Sequence, residues 1–157
     1  MSISPKLATA SDLDDIAEFY ISTRRYFSDL IPPIVGTTDG VRTWLANRVA
    51  SQDEVWLVHD DLGLAALMIL EPGWIDQLYV RPDLVGRGIG SFFVNFAKFR
   101  LPDGIQLWTF QSNSPAQKFY EKHGFVAVGF TDGQSNQEKA PDIRYQWLPP
   151  VHEEKVN

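Results

Sequence analysis

In the stretch LVGRGIGS, residues 84–91, Gly86, Gly88 and Gly90 alternate around a single cation, Arg87. The apolar-rich run WIDQLYV precedes it, and FFVNFAKF follows with apolar residues at helical spacing. Where a strand gives way to a helix, such a loop turns successive backbone N–H groups toward one point, and the positive end of the helix dipole adds to them. Glycine permits positive φ and close approach there. The chemistry this suits is the binding of a phosphate. A dinucleotide fingerprint is excluded, because Ser91 stands where G-x-G-x-x-G needs its last glycine. A Walker loop is excluded as well, since Gly-Lys-Ser/Thr occurs nowhere in the chain.

Other residues with chemical potential lie close by. Asp76 is an isolated acid between Ile75 and Gln77 in a strand-like run, and such a group is costly to bury without a purpose. Alternation along the strand predicts that it shares a face with Leu78 and Val80. A carboxylate there suits deprotonation of an ammonium, with Glu71 in reserve; pairing with a nearby arginine is the structural alternative. Tyr120 can donate a proton at neutral pH or can simply pack beside Phe119. His59, His123 and His152 are scattered, without HExxH or paired spacing, so no metal site is expected.

Composition narrows the classes further. The chain has 157 residues, 44% of them hydrophobic and 13% aromatic, a composition suited to one globular domain, expected over residues 1–150 with a loose tail at 151–157. A net charge of −6 argues against nucleic acid as a partner and is compatible with a cationic substrate. Cysteine is absent, which removes disulfides, thiolate metal sites and a cysteine nucleophile. No apolar run reaches membrane-spanning length, and MSISPKLATASDLDD shows no signal pattern, so a cytoplasmic location without membrane partners is expected.

The elements that must position these residues follow from periodicity. Residues 3–8 suit a first strand, and Ser11 with Asp14 suits a capping box for a helix striped by Leu13, Ile16, Ala17 and Tyr20. That helix is predicted to break at RRYFSDLIPPI. A second helix presents Val41, Trp44, Leu45 and Val49 on one face. VWLVHD and LGLAALMIL read as a hairpin, WIDQLYV as the next strand, and the helix after the glycine loop runs to about Arg100. IQLWTF is a strand. Ser114 with Pro115 suits the start of a helix ending at His123 and Gly124. FVAVGF and IRYQWL close the order β-α-α-β-β-β-α-β-α-β-β, an α/β fold with a mixed sheet.

The loop V-G-R-G-I-G, residues 85–90, resembles the acyl-CoA motif Gln/Arg-x-x-Gly-x-Gly/Ala of the GCN5-related N-acetyltransferases (GNAT). LYVRP before it, and NSPAQKFYEKHGF with Asn113, Ala116, Phe119, Tyr120 and Gly124 after it, resemble that family's neighbouring signatures. The likeness spans about residues 3–148. Val85 departs from the family's glutamine or arginine and removes one side-chain grip. DGxxNxEKxPD followed by Tyr-x-Trp resembles a bacterial subgroup and names no substrate.

The resemblance implies acetyl-CoA as cosubstrate. It is expected to be held by Leu78, Tyr79 and Val80 along a splayed strand, by Val85, Gly86, Arg87, Gly88, Ile89, Gly90 and Ser91 at the pyrophosphate, and by Asn113, Ala116, Phe119 and Tyr120 along the arm. It further implies acetyl transfer to a primary amine, with Tyr120 as acid and Asp76 as base in a direct ternary complex. The acceptor (a small amine, an amino acid or a protein amine) would contact RRYFSDLIPPI, TDGQSNQEKAPD, Trp74 and Tyr79. A homodimer is one assembly compatible with this reading. The competing reading is a non-catalytic acyl-CoA sensor or interaction module on the same fold.

Overall fold

The computed structural model describes residues 3–151, so most of the expected tail lies outside the described residues. Seven strands form a single mixed sheet. They are β1 (Lys6–Leu7), β2 (Glu54–Asp60), β3 (Gly63–Glu71), β4 (Trp74–Val80), β5 (Ile105–Phe110), β6 (Val126–Phe130) and β7 (Asp142–Trp147). Their spatial order is β1-β2-β3-β4-β5-β7-β6. Neighbours pair antiparallel except for β4 and β5, which run parallel. Helices α1 (Leu13–Tyr26), α2 (Thr38–Ala50), α3 (Ile89–Arg100) and α4 (Ser114–Lys122) complete the α/β order read from the sequence. No helix among the described residues is long and apolar enough to cross a membrane.

The strand β3 is buried on both faces, which explains its nearly unbroken apolar run. Leu67 and Ile69 pack with Leu13, Ile16, Tyr20 and Leu45 of α1 and α2. Ala66, Met68 and Leu70 point the other way, to Phe93 and Val94 of α3 and to Tyr120 of α4. The sheet is thus sandwiched on its β1–β4 side, and two cores meet at β3 and β4.

Several boundaries differ from the sequence reading. The first strand, expected over residues 3–8, is only Lys6–Leu7, where it pairs with Leu57 and Trp56 of β2. The capping box sits earlier, at Thr9 and Asp12: the Thr9 N–H donates to Asp12 Oδ2 at 2.8 Å, and a 3-10 turn over Ala10–Asp12 leads into α1. Asp14 is spent instead on Arg42, at 2.8 Å. The helix α1 continues through Arg24 and Arg25 to Tyr26, because Arg24 extends the buried stripe of Leu13, Ile16, Ala17 and Tyr20 by one more turn. At α4 the cap is Asn113, whose Oδ1 accepts from the Ala116 N–H at 3.3 Å, which moves Pro115 to the second helical position.

Candidate active site

Strands β4 and β5 share only the register pair Trp74 with Gln106, next to a Gln106 N–H donating to the Gly73 carbonyl at 2.8 Å. Beyond that point they splay. Leu78, Tyr79 and Val80 pair with Met68, Leu67 and Ala66 of β3 and have no partner on β5. Leu78 and Tyr79 border a cleft of about 230 Å³, lined from the other side by Leu107, Thr109, Asn113, Ala116 and Tyr120. Trp74 and Trp108 stack at 6.4 Å where the strands part.

The glycine loop leads from β4 into α3. Pro82–Leu84 form a 3-10 turn ended by Val85, and Gly88 caps α3 with φ +92°. Gly86 has φ +81°, and a Cβ built at either glycine would meet nothing within 4 Å. The backbone of these two residues faces open space, and the first N–H groups of α3 (Ile89, Gly90, Ser91) have no partner in their own helix. This cradle fits a pyrophosphate. Gly90 serves differently: a Cβ there would come within 3.2 Å of the Phe119 ring, so its bareness lets α4 pack against α3. The side chains of Val85 and Arg87 are exposed beside the loop, whereas that of Ile89 is core, which leaves only its main chain for a ligand. Ser91 Oγ lies 3.0 Å from His123 Nε2 and helps tie α3 to the end of α4.

Tyr120 projects from α4 into the cleft and is 8% exposed. Burial alone pushes its phenol well above the usual tyrosine range, so it stays protonated and available as a donor. Phe119 packs edge-on to Tyr120 and to His123. Asn113, expected at the cofactor arm, caps α4 with its Oδ1 and still lines the cleft. Tyr79 lines the cleft, and its ring packs in the α1–α2 core, T-shaped on Tyr20 at 5.5 Å.

Asp76 does not share the face of Leu78 and Val80. The β3–β4 register passes from Gln77 opposite Ile69 to Ile75 opposite Leu70, so Asp76 is the extra residue of a β-bulge. A bulge interrupts strict alternation. Ile75, Leu78 and Val80 therefore pack in the α3–α4 core, while Asp76 and Gln77 both line a cavity on the α1–α2 side. There Asp76 Oδ2 lies 3.2 Å from Arg48 Nη2, the arginine pairing that the sequence left open. Arg48 also approaches Asp53 at 3.4 Å and Glu71 at 3.9 Å. Burial, and then the Asp76 charge, push the Glu71 carboxyl above its usual range.

That second cavity, of about 480 Å³, lies between α1, α2 and the β6–β7 loop. It meets the cleft at Arg24, Asp76 and Gln77, which line both. Gln77 and Arg48 were not anticipated from the sequence, whereas Arg24 and Glu138 lie in RRYFSDLIPPI and TDGQSNQEKAPD, the segments expected at the acceptor, without having been singled out there. Arg24 left a legible signal, however: it stands one turn after Tyr20, a charge on the apolar stripe of a helix. The loop carrying Gln137 and Glu138 is folded by Asn136, whose side chain donates to the Ala140 carbonyl at 2.6 Å and accepts from the Ala140 N–H at 3.2 Å. Thr131 and Asn136 both bond the buried Asp142.

A model of the acetyltransferase (GNAT) domain matches residues 49–127, from the end of α2 into β6. The chain is 29% identical over 130 residues to the peptidyl-lysine N-acetyltransferase YiaC of Escherichia coli, covering 77% of this chain and 82% of that protein. It superposes on PaiA N-acetyltransferase from Thermoplasma acidophilum, solved with coenzyme A, with a TM-score of 0.72 at 16% identity over 94% of this chain and 99% of that one. An acetyltransferase from Thermus thermophilus gives 0.76 at 18% identity, covering 94% and 97%. The two structures share the fold, and the domain match runs through the bulged strand, the glycine cradle and α4. This chain belongs to the GNAT family of acetyl-CoA-dependent acetyltransferases.

Proposed function

We propose that the protein moves an acetyl group from acetyl-CoA directly to a primary amine, with both substrates bound together. The observation that carries this reading is the splay of β4 from β5, with the glycine cradle at the start of α3 and the Tyr120 phenol in the cleft wall. Acetyl-CoA supplies, when bound, an acyl thioester and a thiolate leaving group. The N–H groups of Gly86, Gly88, Ile89, Gly90 and Ser91 hold the pyrophosphate, and the free edge of Leu78 to Val80 orients the arm. Much of the acceleration is positional. Tyr120 donates its proton to the departing sulfur. Asp76, where the two cavities meet, receives the proton of the incoming ammonium directly or through water. With no cysteine in the chain, a cysteinyl intermediate has no nucleophile.

Tyr120→Phe tests the assignment, because it keeps the ring and removes the hydroxyl. Thiol release from acetyl-CoA in the presence of an accepted amine should fall about a hundredfold or more, with acetyl-CoA affinity and Tm unchanged. A loss of Tm with turnover intact would make the hydroxyl structural. A parent protein that binds acetyl-CoA and turns over no amine would remove the reading itself.

A further inference from the structure

We propose that the acceptor is a small aminocarboxylate, whose ammonium is taken by Asp76 and whose carboxylate is taken by Arg24. This rests on the acetyl-transfer reading above and narrows its acceptor.

The Arg24 side chain is only 5% exposed, although it borders both the cavity and the cleft. A guanidinium so far from water demands an anion. Two of its neighbours are neutral acceptors: Tyr20 Oη, 2.9 Å from Nη1, and the Pro32 carbonyl, 2.8 Å from Nη2. Its Nε is buried and donates to no group among the described residues. The one carboxylate paired with it among those residues, Glu138 Oε1, stands 3.6 Å from Nη1, which is ion-pair range and too long for a formed hydrogen bond. Glu138 comes from the loop that Asn136 folds over the cavity. It shows that a carboxylate is tolerated at Arg24, and it leaves a charge-assisted hydrogen bond there to be made.

The rest of the cavity agrees. Its lining combines Arg24 and Arg48 with Asp76, so both signs of charge are present, beside the aromatic pair Tyr20 and Trp44 at 5.3 Å. A polyamine would bring a second ammonium toward the buried Arg24, where like charges repel. An aminocarboxylate meets each sign with its opposite. About 480 Å³ is within the usual range for a small-molecule site.

The test is thiol release from acetyl-CoA by the intact protein, using free amino acids, their methyl esters, a diamine, spermidine and a lysine-centred peptide. At least one free amino acid should exceed its own methyl ester in kcat/KM by about tenfold to a hundredfold, and should exceed the diamine, spermidine and the peptide. Arg24→Met should erase the gap between acid and ester. Glu138→Gln should lower KM for the free acid, since a competing carboxylate is gone. An ester equal to its acid overturns the proposal, as does preference for the diamine, spermidine or the peptide; in either case acetyl transfer itself stands. A rise in KM for the acid in Glu138→Gln also overturns it, by making Glu138 a partner of the ammonium. If no amine is acetylated although acetyl-CoA binds, the acetyl-transfer reading fails first and this proposal with it. The acid–ester comparison needs no variant, so a misfolded Arg24→Met does not shelter the idea.

Discussion

The two sides of the β4–β5 cleft are built on different principles. Toward α3 and α4 the site is made of main chain: a free strand edge, two glycines with positive φ and the first turn of a helix. Toward α1, α2 and the β6–β7 loop it is made of side-chain ion pairs, with Arg48 among Asp53, Glu71 and Asp76, and Arg24 beside Glu138. The family match over residues 49–127 spans the first side whole and leaves Arg24 and Glu138 outside it. Backbone recognition suits a ligand part that never changes. Side-chain recognition can be re-specified one residue at a time, and that suits the part that varies within a family.

The largest effect should come from filling the cradle. Gly88→Leu places a side chain in the open space above the loop and imposes a left-handed φ of +92° on a non-glycine residue, a strain of about 1–2 kcal/mol. For the parent protein, acetyl-CoA at a hundredfold excess over Kd should add about 2.7 kcal/mol of stability, and in the variant that ligand-induced rise in Tm should vanish. Gly90→Ala, where the conflict is with the Phe119 ring at 3.2 Å, should lower Tm and retain the rise. If Gly88→Leu still binds acetyl-CoA, the division between a backbone-made and a side-chain-made side is wrong.

The next effect belongs to the other side. Asp76→Asn should reduce turnover about tenfold to a hundredfold at neutral pH, and less at high pH, where the amine is already deprotonated in solution. Acetyl-CoA affinity should be unchanged, because Asp76 faces Arg48 across the bulge and lies away from the loop. Equal loss at every pH would make Asp76 a binding or structural residue. Loss of acetyl-CoA affinity would show that the two sides are energetically one.

This division also explains what the sequence could show. The loop's backbone geometry was legible because its determinants are contiguous: Gly86 and Gly88, between an apolar run and a helix, take the positive φ that glycine allows. The helix α4 was legible for the same reason, with its exit at His123 and Gly124 written locally, although its cap is Asn113 and not Ser114. The face of Asp76 was not legible. One extra residue in β4, set by how it pairs with β3, turns the carboxylate away from Leu78 and Val80 and toward Arg48, and no local pattern in WIDQLYV announces that bulge. Arg24 and Asp76 line one cavity from distant segments and Glu138 reaches Arg24 from a third, so no spacing in the chain records the arrangement. Arg24 and Glu138 lay in segments expected at the acceptor, and Arg24 carried a further hint, as a charge at the helical period of an apolar stripe.

The smallest effect would sharpen the comparison by showing that the side-chain-made side is held at an electrostatic cost. Glu71 ends β3 with its carboxyl raised above the ordinary 4.5, by burial first and by the Asp76 charge second, with Arg48 opposing. A carboxyl raised on folding binds its proton more tightly in the native state than in the unfolded one. Stability from this group is therefore fully present below pH 4.5, and it falls as pH rises through the folded value. Glu71→Gln should remove that dependence. At neutral pH the variant should be slightly more stable than the parent, by no more than about 0.5 kcal/mol given the solvent reaching a side chain this exposed. Near pH 4 the two should melt together, because the parent carboxyl is then protonated. Melting curves from pH 4 to pH 8 decide it: a gap in Tm that opens with rising pH supports a strained carboxylate cluster around Arg48. A gap of the opposite sign would mean that the 3.9 Å approach of Arg48 outweighs burial and the Asp76 charge, so that this side of the site is held together by its ion pairs.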